Sequence, residues 1–588
     1  MPHDETLLLR PLADGAVEAV FEFRDSWQPE PSAFCASGDT NALCHFDGAR
    51  FPRVLAEVVD EFDVAEMHVA LTRGRWDRGA WGHSAADDTH GPDGAEMWAK
   101  LPVRSDRSTV ARWAGLRAAL SGLLCASLER LSPARVSRTR DAPAGFELWR
   151  GTLPRESACV ENLAAWVGFS PCRKWAGLGA LLRPERVFAS EYHSLALRVT
   201  RGTNGTGSRG SLYELRLTVT MVARRALVGA SLDFTLAPVF APPRNAPETL
   251  SFTRCPLASS SAVLTLLPSW LGDDVAFATP PDEIVPVEAG AARLAVHRLN
   301  EGATLVMHDR GSAWFRARGS GVLSAAPAEI EQHAVQQRLT WIGSGDRTRG
   351  ALDVWLATSG RATLASLRVE IPDLVVPFLY TATLECHPGT RNQTWWRQPL
   401  LELGPGPARV QYTAPGALAD VSGDRARGPS IVGAPGTIEL TDLAFAGDRG
   451  WARLRLEFET RFLPMGAWPP DPFRGFDWPP AVATFGMSDG SCATEDARVS
   501  GVRSPLVHAI FEAGTRSHRI YSDGALLQLP EFDFSMPFNV VTLQSTLLAL
   551  FFGTIMSGLV RKSGRGTAPR RPIFAKIAER LRRRKRRV

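Results

Sequence analysis

Lysine is nearly missing from this chain. Of 588 residues only Lys100, Lys174, Lys562, Lys576 and Lys585 carry it, so arginine supplies nearly all of the 67 basic side chains. A biased codon usage produces that pattern more readily than phosphate chemistry does. Nucleotide-binding motifs are missing too: no Gly-x-x-x-x-Gly-Lys-Ser/Thr occurs, and the glycines of 202–210 precede no helical pattern, which removes the usual support for phosphate transfer. His-Glu-x-x-His, Cys-x-x-Cys and Gly-x-Ser-x-Gly are also absent, so the common zinc protease, dithiol and serine hydrolase signatures are excluded. The first residues offer neither a basic stretch nor an apolar run of the kind that opens a secretory leader.

The composition that remains is ordinary for globular proteins. Hydrophobic residues make up 44% and charged residues 22%, which excludes a disordered or fibrous chain, and 588 residues exceed what one core organises. Charge is unevenly placed. Residues 561–588 hold 13 of the basic side chains and one acid, Glu579, which leaves 54 basic against 61 acidic residues in 1–560. A basic chain of that build is not a nucleic-acid binder, because its folded part is acidic and offers no phosphate footprint.

Residues 538–560 contain no charged side chain. As a helix they reach roughly 34 Å, enough to cross a bilayer, and the cations that follow place the tail in the cytoplasm and the body across the membrane. Such a topology needs a leader, so the N-terminus as given is expected to be incomplete or processed. Within the span, Gly553 and Ser557 form a small-x-x-x-small pair among several polar residues, which suits a helix packed on partners. The tail over 572–587 suits an amphipathic helix on an anionic leaflet or a solvated basic segment.

Alternation with period two dominates the body. Tyr213, Leu215, Leu217, Val219 and Met221 share one face of 211–222, and Ala452, Leu454, Leu456 and Phe458 one face of 451–459. These predict half-buried antiparallel strands, and 16–23, 66–71 and 192–199 read as strands less cleanly. A helix is expected over 111–131, packed on a sheet. The Pro-rich stretch 237–247 is the best divider. The expected fold is mainly β: tandem sandwich-like domains over 1–236 and 248–532, a juxtamembrane segment 533–537, the span 538–560 and the basic tail 561–588.

The eight cysteines, Cys35, Cys44, Cys125, Cys159, Cys172, Cys255, Cys386 and Cys492, suit disulfides in an oxidising lumen. Cys35 with Cys44 and Cys125 with Cys172 are local guesses at pairing. Asn204 and Asn392 head Asn-x-Thr sequons. His83, His90, Asp87, Asp88 and the neighbours Cys44 and His45 match no common metal spacing and read as surface loops. Cys159 with His193 is the one candidate nucleophile and base pair, weighed against a structural cysteine.

Several motifs resemble the PIG-T family, subunits of the glycosylphosphatidylinositol (GPI) transamidase. They are, in order, Arg75-Trp-Asp-Arg-Gly-Ala-Trp81-Gly82, Gly94-Ala-Glu-Met-Trp98, Leu124-Cys-Ala-Ser-Leu128, Leu153-Pro-Arg-Glu-Ser-Ala-Cys159-Val-Glu-Asn-Leu163, Tyr192-His-Ser194, Cys255-Pro-Leu-Ala-Ser259, Ser488-Asp-Gly490 and Asp533-Phe-Ser-Met-Pro-Phe-Asn539. The resemblance is weakest between about 268 and 440, and Phe473 stands where family members commonly carry a polar residue. It implies a non-catalytic scaffold in the endoplasmic reticulum membrane, without a metal or cofactor of its own, acting on proproteins and a GPI lipid. It implies that Cys159 forms an interchain disulfide to a PIG-K-like catalytic subunit, and that Asp533, Ser535 and Asn539 help hold the GPI lipid. GPAA-, PIG-S- and PIG-U-like subunits would complete the assembly. The reading set against it is a stand-alone single-pass β-sandwich receptor or adhesion glycoprotein.

Overall fold

The computed structural model describes residues 3–12, 14–27, 51–104, 108–136, 145–203, 211–223, 254–268, 279–287, 292–300, 332–342, 348–359, 363–372, 374–388, 396–400, 409–413, 436–445, 449–462, 475–487, 504–511, 518–529 and 535–562, with a few shorter pieces. They fall into two units, Met1–Leu529 and Pro530–Val588.

The first sheet of the larger unit is built from β1 (His3–Pro11), β2 (Val17–Trp27), β3 (Glu66–Arg73), β4 (Gly94–Pro102), β5 (Ser132–Val136), β6 (Phe146–Pro154), β7 (Tyr192–Thr203) and β8 (Ser211–Ala223). After the short β9 (Asp233–Phe234) and β10 (Thr249–Ser251), it is joined by β11 (Ala258–Pro268), β12 (Glu283–Val287) and β13 (Ala292–Arg298). The order is β12-β13-β11-β1-β2-β8-β7-β3-β4-β6-β5. Only β1 and β11 run parallel among these pairs. Four of the strands end on a proline, at Pro11, Pro102, Pro154 and Pro268, because proline has no N–H to extend a ladder. On β8 the predicted face is realised, with Tyr213, Leu215, Leu217, Val219 and Met221 all buried.

The expected division at 237–247 does not coincide with an edge of this sheet. Three strands that follow that stretch return to it, since β11 lies against β1. Helices form a second layer on this sheet. These are α1 (Arg53–Glu61), α3 (Thr109–Leu124) and α4 (Val160–Gly168), with the short α2 (Arg78–Trp81) and α5 (Pro184–Val187) in loops. Leu55, Val59, Trp113, Leu116, Leu120, Leu163 and Trp166 bury against Phe21, Val69, Met97 and Leu217, and helical spacing lets one stripe of each helix meet the sheet. The helix expected over 111–131 stops at Leu124, because Cys125 takes up the left-handed conformation (φ 52°, ψ 36°) and its N–H turns back to the Ser121 carbonyl; a separate 3-10 turn then covers Leu128–Arg130. On the opposite face α6 (Pro505–Phe511) packs Leu506, Val507 and Ile510 on Leu8, Val20, Leu264 and Val296.

Beyond the short β14 (Thr304–Val306) and β15 (Phe315–Arg316) comes a β-sandwich. Its strands are β16 (Gln332–Trp341), β17 (Arg349–Ser359), β18 (Thr363–Ile371), β19 (Val375–His387), β20 (Trp396–Pro399), β21 (Arg409–Thr413), β22 (Gly436–Phe445), β23 (Gly450–Thr460), β24 (Phe476–Trp478), β25 (Val482–Met487), β26 (His518–Tyr521) and β27 (Ala525–Leu527). One sheet orders β16-β17-β23-β19-β20 and the other β21-β22-β18-β25-β26. Alternate residues from both, such as Leu352, Val354 and Leu454 against Leu367, Val369 and Ile438, make a single core, as facing sheets require.

The Gly94 that opens β4 has φ +115°, and a Cβ there would lie 2.2 Å from the Leu153 carbonyl oxygen of β6. Gly94→Ala is expected to destabilise the fold by about 3 kcal/mol or more through backbone strain and the clash. A thermal midpoint equal to wild type would show that the β4–β6 contact relaxes instead.

In the smaller unit, α7 (Ser535–Lys562) contains the apolar run Asn539–Val560, long enough to cross a membrane. Its side chains, among them Leu547, Phe551 and Leu559, are exposed.

Candidate functional site

Cys159 caps the N-terminus of α4 in an extended conformation (φ −121°, ψ 177°). The turn before it is set by Arg155 at φ 67°, and Ala158 is buried. The helix is pinned by Leu163 and Trp166, whose indole Nε1–H donates to the Ala196 carbonyl at 3.1 Å. Asn162, on the first turn, accepts the Cys159 backbone N–H at 2.6 Å and donates its amide to the carbonyls of Leu124 (2.7 Å) and Cys125 (2.9 Å). A buried carboxamide thus fixes Cys159 against the end of α3, while the cysteine itself remains exposed and unpaired.

The chemistry of that thiol is not that of a nucleophile. A helix N-terminus ordinarily favours a thiolate, but partial burial and the hydrogen bond to Glu161 push the Cys159 thiol up. Nor, among the described residues, is an imidazole beside it. His193 is fully buried on β7, 3.4 Å from the Ser190 hydroxyl and edge-on to Phe188, and burial followed by the charge of Arg73 pulls it down to about 4. The structure does not bring the candidate pair together.

Pairing of cysteines differs from the local guess. Cys172 bonds Cys255, with Cα atoms 5.7 Å apart, and Cys125 is free and exposed. The segment after α4 folds back over β1, where Leu178 N–H donates to Glu5, and β1 is the neighbour of β11, which follows Cys255. That tertiary approach, 83 residues apart in sequence, has no local signal. Cys386 is free and buried, its thiol pushed up to about 11 by burial. Cys35, Cys44, His45 and Cys492 lie outside the described residues, as do Asn204, Asn392 and Asp533. Ser535 begins α7, and Asn539 is exposed on it.

The His83, Asp87 and His90 group is not a set of surface loops. His90 is buried, and Arg78 sits among the three, donating to Asp87 at 3.1 Å and lying 2.7 Å from His83 Nδ1. Its guanidinium is the cation that pairs with Asp87. Arg78 also donates to the Arg519 carbonyl on β26 at 3.1 Å, so this cluster joins the first sheet to the sandwich. Sequence reasoning missed that role, because residues 78 and 519 are brought together only by the fold.

A family model described as the Gpi16 subunit, a GPI transamidase component, matches residues 1–229 and 434–583. The chain belongs to that family. It is 26% identical over 579 residues to the human GPI-anchor transamidase component PIGT, covering 95% of this chain and 90% of that protein. It is 24% identical over 600 residues to the GPI transamidase component GPI16 of Saccharomyces cerevisiae, covering 95% and 88%. The PIG-T homolog of Schizosaccharomyces pombe is 23% identical over 578 residues, with 95% and 90% covered. The two matched blocks flank the stretch where the sequence motifs are sparsest.

Proposed function

We propose that the chain is the non-catalytic scaffold of a GPI transamidase. It is linked through Cys159 to a PIG-K-like cysteine-protease subunit and assembles with GPAA-, PIG-S- and PIG-U-like subunits. The observation that carries this reading is an exposed, unpaired thiol held rigidly at the start of α4 with no imidazole beside it among the described residues. A group so placed suits a disulfide to another chain, and a covalent tether holds a partner at high effective concentration. A stand-alone receptor draws no support from relatives named as transamidase components.

The body lies in the lumen of the endoplasmic reticulum in this reading, with Asn204 and Asn392 available for glycosylation and the basic tail in the cytoplasm. Asp533, two residues ahead of α7 in the sequence, with Ser535 and Asn539 in the helix, supply an acid, a hydroxyl and an amide, acceptors suited to the head group of the GPI lipid. The proprotein is cut on the tethered subunit.

Cys159→Ser is expected to abolish a covalent heterodimer that wild-type protein from its native membranes shows on non-reducing electrophoresis and loses on reduction. Persistence of the same heterodimer in Cys159→Ser would place the linkage elsewhere.

A further inference from the structure

Cys125 occupies a position that usually goes to glycine. It follows the last residue of α3 at φ 52° and ψ 36°, a left-handed conformation costing a residue with a Cβ about 1 kcal/mol. Its thiol is exposed and unpaired, like that of Cys159. The two are adjacent through one side chain, since the Asn162 carboxamide takes the Cys159 N–H at 2.6 Å and gives to the Cys125 carbonyl at 2.9 Å. Two free thiols at the facing ends of α3 and α4, one of them on a strained residue, form a unit that the tether alone does not explain.

We propose that Cys125 is a resolving thiol for Cys159. The pair closes an internal disulfide when the chain is alone, with a small-molecule or protein disulfide as the oxidant: one Cys125–Cys159 bond forms, the oxidant's bond is reduced to two thiols, and both protons pass to them. Resting on the Cys159 linkage proposed above, this internal bond is then handed to the partner. The partner's thiolate attacks Cys159 Sγ, the new interchain bond forms, the Cys125–Cys159 bond breaks, and Cys125 leaves as a thiolate that takes up a proton. In reverse, the Cys125 thiolate attacks Cys159 Sγ and releases the partner. Neither exchange consumes an outside oxidant or reductant. Any closing movement falls on Cys125, the first residue past the α3 end, and puts at stake only the terminal bond from its N–H to the Ser121 carbonyl.

The test uses the full-length chain purified in detergent without other subunits, treated with oxidised glutathione, trapped by alkylation and digested for mass spectrometry. A peptide bearing Cys125 joined to one bearing Cys159 is expected in wild type and in neither Cys125→Gly nor Cys159→Ser. The glycine variant suits the left-handed position, so loss of the bond there is not loss of folding. In the covalent assembly, release of the partner at limiting reduced glutathione is expected to be about tenfold slower for Cys125→Gly, because an intramolecular thiol is replaced by a dilute one. Equal release rates, or both thiols still alkylated after oxidation, would overturn the proposal. Absence of the internal bond in a chain whose Cys159 does carry its partner would sink the thiol pair alone. Formation of the internal bond in the isolated chain, with a Cys159→Ser variant that keeps its partner, would sink the linkage alone.

Discussion

Replacing Arg150 by methionine is expected to lower stability by about 3–5 kcal/mol, the cost of leaving a buried charge without its partner. Arg150 on β6 is 7% exposed, Glu96 on β4 1% and Glu370 on β18 3%. The guanidinium Nε donates to Glu96 at 2.6 Å, and Nη1 lies 3.9 Å from Glu370. Tyr521 adds a hydroxyl donor to Glu96 at 3.3 Å. Burial alone would push the Glu96 carboxyl up, but Arg150, followed by His68, holds it below the usual range. Methionine fills much of the arginine stem's volume, so the loss would come from charge more than from a cavity. Glu370 keeps Arg368 at 3.5 Å, which leaves Glu96 as the stranded group. Arg150→Met with Glu96→Gln should therefore cost less than the two single changes added together. The measurement is the thermal midpoint by tryptophan fluorescence in detergent. A single variant within a degree of wild type would mean that water reaches Glu96 and that the Arg150 pair adds nothing to the joint between the first sheet and the sandwich.

Acid should weaken the fold before the carboxylates titrate. His68, His90 and His193 are each pulled down to about 4 and His518 to about 3, in every case by burial first; His68 and His90 then feel Glu96 and Asp87 pushing back. A histidine lowered in the folded state binds its proton more readily when unfolded. Its contribution is complete above pH 6.5 and is lost as the pH falls toward 4. The summed loss is on the order of several kcal/mol. His3 has the opposite sign. Burial pulls it down, but hydrogen bonds to Asp25 (2.8 Å) and Glu5 (3.4 Å) and their charges win and raise it to about 9. Its contribution is present below pH 6.5 and is lost as pH rises through 9. Stability measured by thermal unfolding should peak between these limits, near pH 6.5. A curve flat from pH 5 to 8 would mean that these imidazoles are solvated in the folded protein.

The two relays at the seam illustrate why the family was more legible than the packing of one part of the fold on another. Each motif around Arg75–Gly82, Gly94–Trp98 and Tyr192–Ser194 stood out in the sequence. Their joint effect, Arg78 reaching Arg519 and Glu96 meeting Tyr521, depends on strands hundreds of residues apart. Local propensity carries no record of such meetings.

Alternation along 211–222 and 451–459, the helical stripe of 113–124 and the uncharged run of 538–560 were written in the sequence alone, because period and length are local properties that one face of a strand or helix must satisfy. The motif order was enough for the family. Tertiary structure alone decided that β11 returns to β1 beyond the Pro-rich stretch, that Cys172 bonds Cys255, and that Cys125 stands beside Cys159 across Asn162. Each is a choice among distant partners of equal local quality, made by the burial of one shared core rather than by any residue's own preference.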